Sequence, residues 1–165
     1  MMDEIIIDLQ KQIQNDCSSR VAIDSVYAGD PGLTEKAALP AVIISEGRTD
    51  LERQQTGSDV YKFNISILVI TDISSSMSIA GNPDRIMKAR QALRQLIEQA
   101  DPNAGAPMTD TILGSLMKQS NISTKNWRYN IKPSVNYRPN TPKEWWYACA
   151  EITLSFISDI VIRTL

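Results

Sequence analysis

Between Trp127 and Tyr137 the chain alternates large apolar and polar residues, as WRYNIKPSVNY. Trp127, Tyr129, Ile131, Val135 and Tyr137 share one side of an extended chain. Arg128, Asn130, Lys132, Ser134 and Asn136 share the other. The pattern returns near the C-terminus, where Trp146, Ala148, Ala150, Ile152, Leu154 and Phe156 oppose Tyr147, Cys149, Glu151, Thr153 and Ser155. Successive side chains of a strand point to opposite faces, so a period of two marks sheets with one covered face. Other elements must supply the cover, and two stretches of the chain have the matching period of a helix.

The first is residues 3 to 16, where Ile6, Leu9 and Ile13 fall at helical spacing with Ile5 beside them. Asp3 and Glu4 suit the positive end of that helix. The second is Pro83 to Gln99, with Asn82 as N-cap and Pro83 at the first helical position. Its apolar stripe is Ile86, Ala89, Leu93, Leu96 and Ile97, while Lys88, Arg90, Arg94 and Glu98 face water or a partner. Between the helices, Leu39 to Ser45 (LPAVIIS) and Tyr61 to Thr71 (YKFNISILVIT) read as strands. They are joined by the polar excursion EGRTDLERQQTGSD, residues 46 to 59, which is either a long hairpin or a pair of arms projecting beyond the core. An isolated two-stranded ribbon is marginal in water, so projecting arms need support.

Other segments are less regular. Val21, Ile23, Val26 and Tyr27 fit a short strand or an extended segment, and AGDPG then signals a turn opening a surface loop over 28 to 37. Residues 72 to 81 read as a linker and 101 to 107 as a helix breaker. Thr109 to Gln119 fits a short helix or a strand with Ile112, Leu113, Leu116 and Met117 inward. Pro133 removes a ladder donor from the strand region 121 to 137, which implies an edge or a bulge. RPNTPKE forms a turn before the last strand, Trp145 to Phe156, and residues 158 to 165 form an apolar tail.

These elements predict one domain over residues 1 to 165, of the α+β class. The expected core is a mainly antiparallel four-stranded sheet with helices on one face. Its order is helix, strand, strand, helix, strand, strand, with an extended polar hairpin.

Signals of chemistry are sparse. The chain has no histidine, the usual proton shuttle near neutral pH. It contains no phosphate-binding loop or dinucleotide fingerprint, and its carboxylates do not follow calcium-loop spacing. Cys17 and Cys149 lie far apart and form no CxxC pair, so free thiols are expected. A nucleophilic Cys149 would lack its usual base. These points predict no enzyme, no cofactor and no metal. The net charge of −2 argues against a broadly nucleic-acid-binding surface. The acidic start MMDEIIIDL is unlike a signal peptide, and no apolar run approaches a membrane span.

The succession of the N-terminal helix, LPAVIIS, EGRTDLERQQTG, YKFNISILVIT, PDRIMKARQALRQLIEQ and ACAEITLSF resembles the tail terminator proteins of long-tailed bacteriophages. These are also described as tail completion or head-to-tail joining proteins. The resemblance spans residues 3 to 158 and is a pattern of elements rather than of catalytic motifs. It implies a subunit of a homohexameric ring that caps the head-proximal end of the tail tube, stops tube growth and meets the head connector or neck proteins. DNA would pass through the ring without sequence-specific binding. The implied location is the virion tail or neck, with the host cytoplasm during assembly and no membrane association. The long region 100 to 126 and the apolar tail depart from the simplest family pattern, which leaves open a neighbouring role in the neck or a tail-sheath connection in a contractile phage; the alternative functions are another phage neck or head-completion component, or a small non-catalytic binding module.

Function in such a subunit lies in surfaces. The residues singled out for the assembly interface are Glu46, Arg48, Asp50 and Arg53 in the polar hairpin, Arg90 and Arg94 on the second helix, and Trp145. Trp145 starts the outward row of the last strand, where an exposed tryptophan is a natural anchor. Its bland alternative is packing against the RPNTP turn.

Overall fold

The computed structural model describes residues 2–29, 39–53, 58–72, 83–118, 127–129, 134–137, 147–158 and 161–162. Helix α1 spans Met2–Asp16. Its buried residues Ile5, Ile6, Leu9 and Ile13 recur at three- and four-residue spacing, which lays one stripe on the core. The helix runs into a turn in which Cys17 N–H donates to Ile13 O and Val21 N–H donates to Cys17 O, each at 2.9 Å. A short 3-10 turn, Ile23–Ser25, then leads into β1, Val26–Ala28.

Strand β1 pairs in parallel with β2, Ala41–Arg53, in the register Val26↔Val42. Strand β2 pairs antiparallel with β3, Ser58–Asp72. Helix α2, Pro83–Glu98, and the short α3, Ile112–Met117, follow. The remaining strands are β4, Trp127–Tyr129; β5, Ser134–Asn136; β6, Tyr147–Ser158; and β7, Val161–Ile162. The sheet runs β1-β2-β3-β6-β4, with β5 also on β6 and β7 also on β3.

This architecture corrects the expected four-stranded, helix-strand-strand-helix-strand-strand arrangement. The sheet is mixed and its continuous path has five strands. Among the described residues there are three α-helices, and the order along that path is helix, strand, strand, strand, helix, helix, strand, strand. Three differences account for the change. Strand β1 is an additional, parallel edge strand. The segment after the 101 to 107 breaker is a third helix rather than an ambiguous element. The region expected as one strand contributes two short ones, β4 and β5, that both pair with β6.

All three helices bury their stripes on one sheet face. Leu93, Leu96 and Ile97 of α2 and Ile112, Leu113 and Leu116 of α3 join the α1 residues there. They meet Val42 and Ile44 of β2, Phe63, Ile65, Ile67 and Val69 of β3, and Ala150, Ile152, Leu154 and Phe156 of β6. Each fully buried Leu or Ile contributes about 1.5–3 kcal/mol relative to exposure. Phe63 and Phe156 are register partners whose rings stack at 5.0 Å between centroids and 6° between planes. Met117, expected inward, is 46% exposed. The stripe of this short helix is complete with Leu116, and Met117 falls on its outer side.

The opposite face is polar over its central rungs. Ser66 Oγ donates to Glu151 Oε1 at 2.8 Å, and Ser155 Oγ donates to Asn64 Oδ1 at 2.9 Å. Asn64 and Ser155 are directly opposite in the ladder and Ser66 and Glu151 are diagonal neighbours, so both pairs link β3 to β6. Nearer the other end of the strands the same face turns apolar, with Ile43 and Ile70 buried. This matches the sequence, where the later half of YKFNISILVIT loses its polar alternation.

Candidate functional site

The described parts of the polar excursion, residues 46–53 and 58–59, lie in paired strands; residues 54–57 lie outside the described residues. Past buried Ile44, the β2–β3 ladder continues to Arg53↔Asp59. The register slips between Glu46 and Thr49, so Gly47 and Arg48 together oppose Asn64. This is a β-bulge, which bends and twists the strand that carries it. Gly47 permits the close approach: a Cβ there would lie 2.7 Å from Asn64 O. Glu46 and Arg48 are exposed and Asp50 is half-buried. Arg48 Nε donates to Asp50 Oδ1 at 2.8 Å. With Arg48 largely in solvent, this pair contributes little to stability and mainly sets side-chain direction. Arg53 stands opposite Asp59 in the register, and its side chain lies outside the described residues.

The C-terminal strand reaches this arm. Strand β7 pairs with β3 at Ser58↔Ile162 and Asp59↔Val161, on the same side of β3 as β6. The register slips by one residue between the β6 and β7 pairings, so β7 continues the line of β6 beyond a local irregularity. The far end of the arm is therefore three-stranded, and the apolar tail of the same chain provides the support that a bare ribbon would lack.

The other singled-out residues lie elsewhere. Arg90 is half-buried on α2 and Arg94 is exposed. The Arg94 guanidinium stands 5.3 Å from the centroid of the Tyr137 ring, a cation–π distance. The Tyr137 hydroxyl is buried without a well-aligned hydrogen-bond partner. Burial, followed by the nearby Glu98 carboxylate, pushes its pKa above the ordinary phenol range, so it remains neutral. Among the described residues no ion pair or hydrogen bond joins the hairpin group to Arg90 or Arg94. Trp145 lies outside the described residues.

Two features had weak signals in the sequence. The first is Arg20, the only basic residue between Lys11 and Lys36. Its guanidinium donates to Gln95 O at 3.1 Å, Gln99 Oε1 at 2.8 Å and Asp110 Oδ1 at 3.1 Å, tying the end of α1 to α2 and to the approach to α3. Its Nε is also 3.0 Å from Asp110 Oδ2, but the N–H is not aimed at that oxygen, so the contact is Coulombic. The hydrogen bond from Arg20 is the main cause of a depressed Asp110 pKa. Cys17, next to this cluster, is a buried free thiol whose pKa is pushed up to about 12 by burial and then by Asp16. It is held as a neutral thiol, the opposite of an activated nucleophile.

The second is a shallow cleft of about 330 Å³ where the start of α1 meets β1 and β2. Ile6, Ile7 and Ala28 give it an apolar lining, and Asp3, Ser45 and Glu46 are its polar members. These residues are dispersed along the sequence, so no local pattern announces the cleft. Ile7 is 43% exposed.

Among the described residues no group of three His, Cys, Asp or Glu side chains is placed to hold a metal ion. No helix among them is long and apolar enough to cross a membrane. Comparison with known proteins gives no matching family model and no matching curated protein.

Proposed function

We propose that this chain is a structural subunit of a phage tail, a tail terminator whose copies close into a hexameric ring. The ring caps the head-proximal end of the tail tube, ends tube growth and presents a surface to the head connector. DNA passes through it without sequence-specific contacts. The observation that carries this reading is the β2–β3 arm. Its ladder continues past buried Ile44 to Arg53↔Asp59, carries exposed charges at a bulge and is braced by the chain's own C-terminal strand. A braced polar arm suits contact with a neighbouring subunit or tube better than solvation alone. The run β2, polar excursion, β3, α2, on which much of the resemblance rests, is uninterrupted by the additional β1 and α3.

The test is to add the purified protein to polymerising tail-tube subunits and measure both its own mass and tube length. Closed rings on one end of each tube, with growth arrested, are expected. Tubes that grow normally in its presence overturn the reading. Rings that bind the head connector but leave tube growth unchanged assign it to another position in the neck.

A further inference from the structure

The cleft between α1 and β2 and the outer side of α2 are complementary in both shape class and charge. The cleft has an apolar lining from Ile6 and Ile7 beside the carboxylates of Asp3 and Glu46. Asp3 and Glu46 are both exposed, and Glu4 adds a further exposed carboxylate to the same helix turn. Arg48 does not cancel this charge, because its guanidinium is engaged by Asp50. On α2, Met87 is a large apolar residue exposed at 68%. It is followed directly by exposed Lys88, and exposed Arg94 lies further along the helix. Methionine is unbranched and adapts to irregular apolar gaps. The α2 surface therefore offers an apolar knob beside cations, and the cleft offers an apolar hollow beside carboxylates.

The topology separates these two surfaces. Helix α1 packs over β1 and β2, whereas α2 packs over β3 and β6. The cleft thus lies at the β1 edge of the sheet and the knob over the other half. Two separate patches of one subunit, each used once per contact, join copies head to tail. Such a heterologous contact builds a ring when its rotation closes.

We infer that Met87 and Lys88 of one copy seat in the Asp3–Ile7–Glu46 cleft of the next copy. The partner is a second copy of this chain, and the contact is heterologous. Closure of the series into a ring rests on the proposed function; the pairwise contact stands on the complementarity alone. Lys88 would face Glu46 at the rim, where opposite charges steer and orient docking, and Met87 would displace water from the apolar lining.

The experiment compares the native protein with Glu46→Lys, Lys88→Glu and the double exchange, by native mass spectrometry and light scattering over a range of concentrations. Thermal melting serves as the control for folding, since both side chains are exposed. Each single reversal is expected to weaken self-association by about tenfold or more, because it sets like charges against each other. The double exchange is expected to restore association. Self-association that is unchanged by either reversal overturns the contact. A second measurement locates it directly. Ile7→Cys and Met87→Cys proteins, mixed under mild oxidation, should give a disulfide between the two different chains. Cross-links confined to identical chains overturn the head-to-tail arrangement. Tube capping separates this inference from the function: a protein that caps tubes but ignores the charge reversals retains the function and loses this contact.

Discussion

A methyl group on Gly114, in the first turn of α3, would lie 1.9 Å from the carbonyl oxygen of Met108. Replacing glycine by alanine inside a helix ordinarily gains about 1 kcal/mol. Here the steric conflict is with backbone, which cannot swing away, and overpacking of this kind costs roughly 1–3 kcal/mol. Thr111 holds the same turn, with Oγ1 accepting from Gly114 N–H at 3.1 Å and donating to Met108 O at 2.6 Å. Gly114→Ala is therefore expected to lower the denaturant midpoint, and a stabilised protein would contradict this account of the turn. Asp110 gives a test with a defined sign. Its folded pKa lies below the ordinary 3.8, chiefly through the hydrogen bond from Arg20. A depressed carboxylate contributes stability that is complete above the unfolded value and is lost as pH falls through the folded one. The stability difference between the native protein and Asp110→Asn should therefore be present at neutral pH and shrink below about pH 3.8. Because the Asp110 side chain is 36% exposed, solvent screening keeps the effect small. Denaturant titrations at several pH values would measure it, and a difference that grows on acidification would refute the assignment.

At the scale of elements, β7 is the part whose removal separates arm from core. Its two residues pair with Ser58 and Asp59, while the buried cluster is built from α1, α2, α3 and the central strands. Ending the chain after Ser158 should speed amide exchange in the outer part of β2 and β3, with melting of the core changed little. Exchange that remains slow along the arm would show that β7 does not brace it. The same contrast explains what the sequence made legible. The stripes of α1 and α2 repeat over several turns, so Ile6, Leu9, Ile13, Leu93, Leu96 and Ile97 were readable as inward, and all are buried. Strands β3 and β6 are long enough to display their period. By contrast β1 has three residues and β7 two, too few to establish any period. Their places are decided by distant partners, β2 for one and the start of β3 for the other. A parallel partner for Val26, sixteen positions away, leaves no local trace beside an AGDPG turn. The charges of the polar hairpin were equally visible, but the bulge that presents Arg48 depends on the fit of Gly47 against Asn64. The cleft was invisible because it joins α1 to β1 and β2 only in the folded chain.

For the whole molecule, the arm and the cleft meet at Glu46, which belongs to both. Any neighbour seated in the cleft would therefore lie close to the bulge that carries Arg48, and the two surfaces should act together in assembly. Reversing the charge of Arg48 and Arg53 probes the arm without removing a core residue. Arg48 is 80% exposed at its side chain, so Arg48→Glu costs the fold little beyond its pairing with Asp50. Arg53 stands beside the far end of the arm, opposite Asp59. If the arm contacts a neighbour or the tube, the double reversal should weaken ring formation or tube capping by about tenfold or more while the melting temperature stays within a few degrees. Loss should be greatest at low ionic strength, where exposed charges act over the longest range. Melting and capping must be measured on the same preparation, because an unfolded arm would also abolish assembly. A folded double variant that forms rings and caps tubes as well as the native protein, at every salt concentration, would remove the arm from the interface. Assembly would then have to rest on contacts such as that between the cleft and α2.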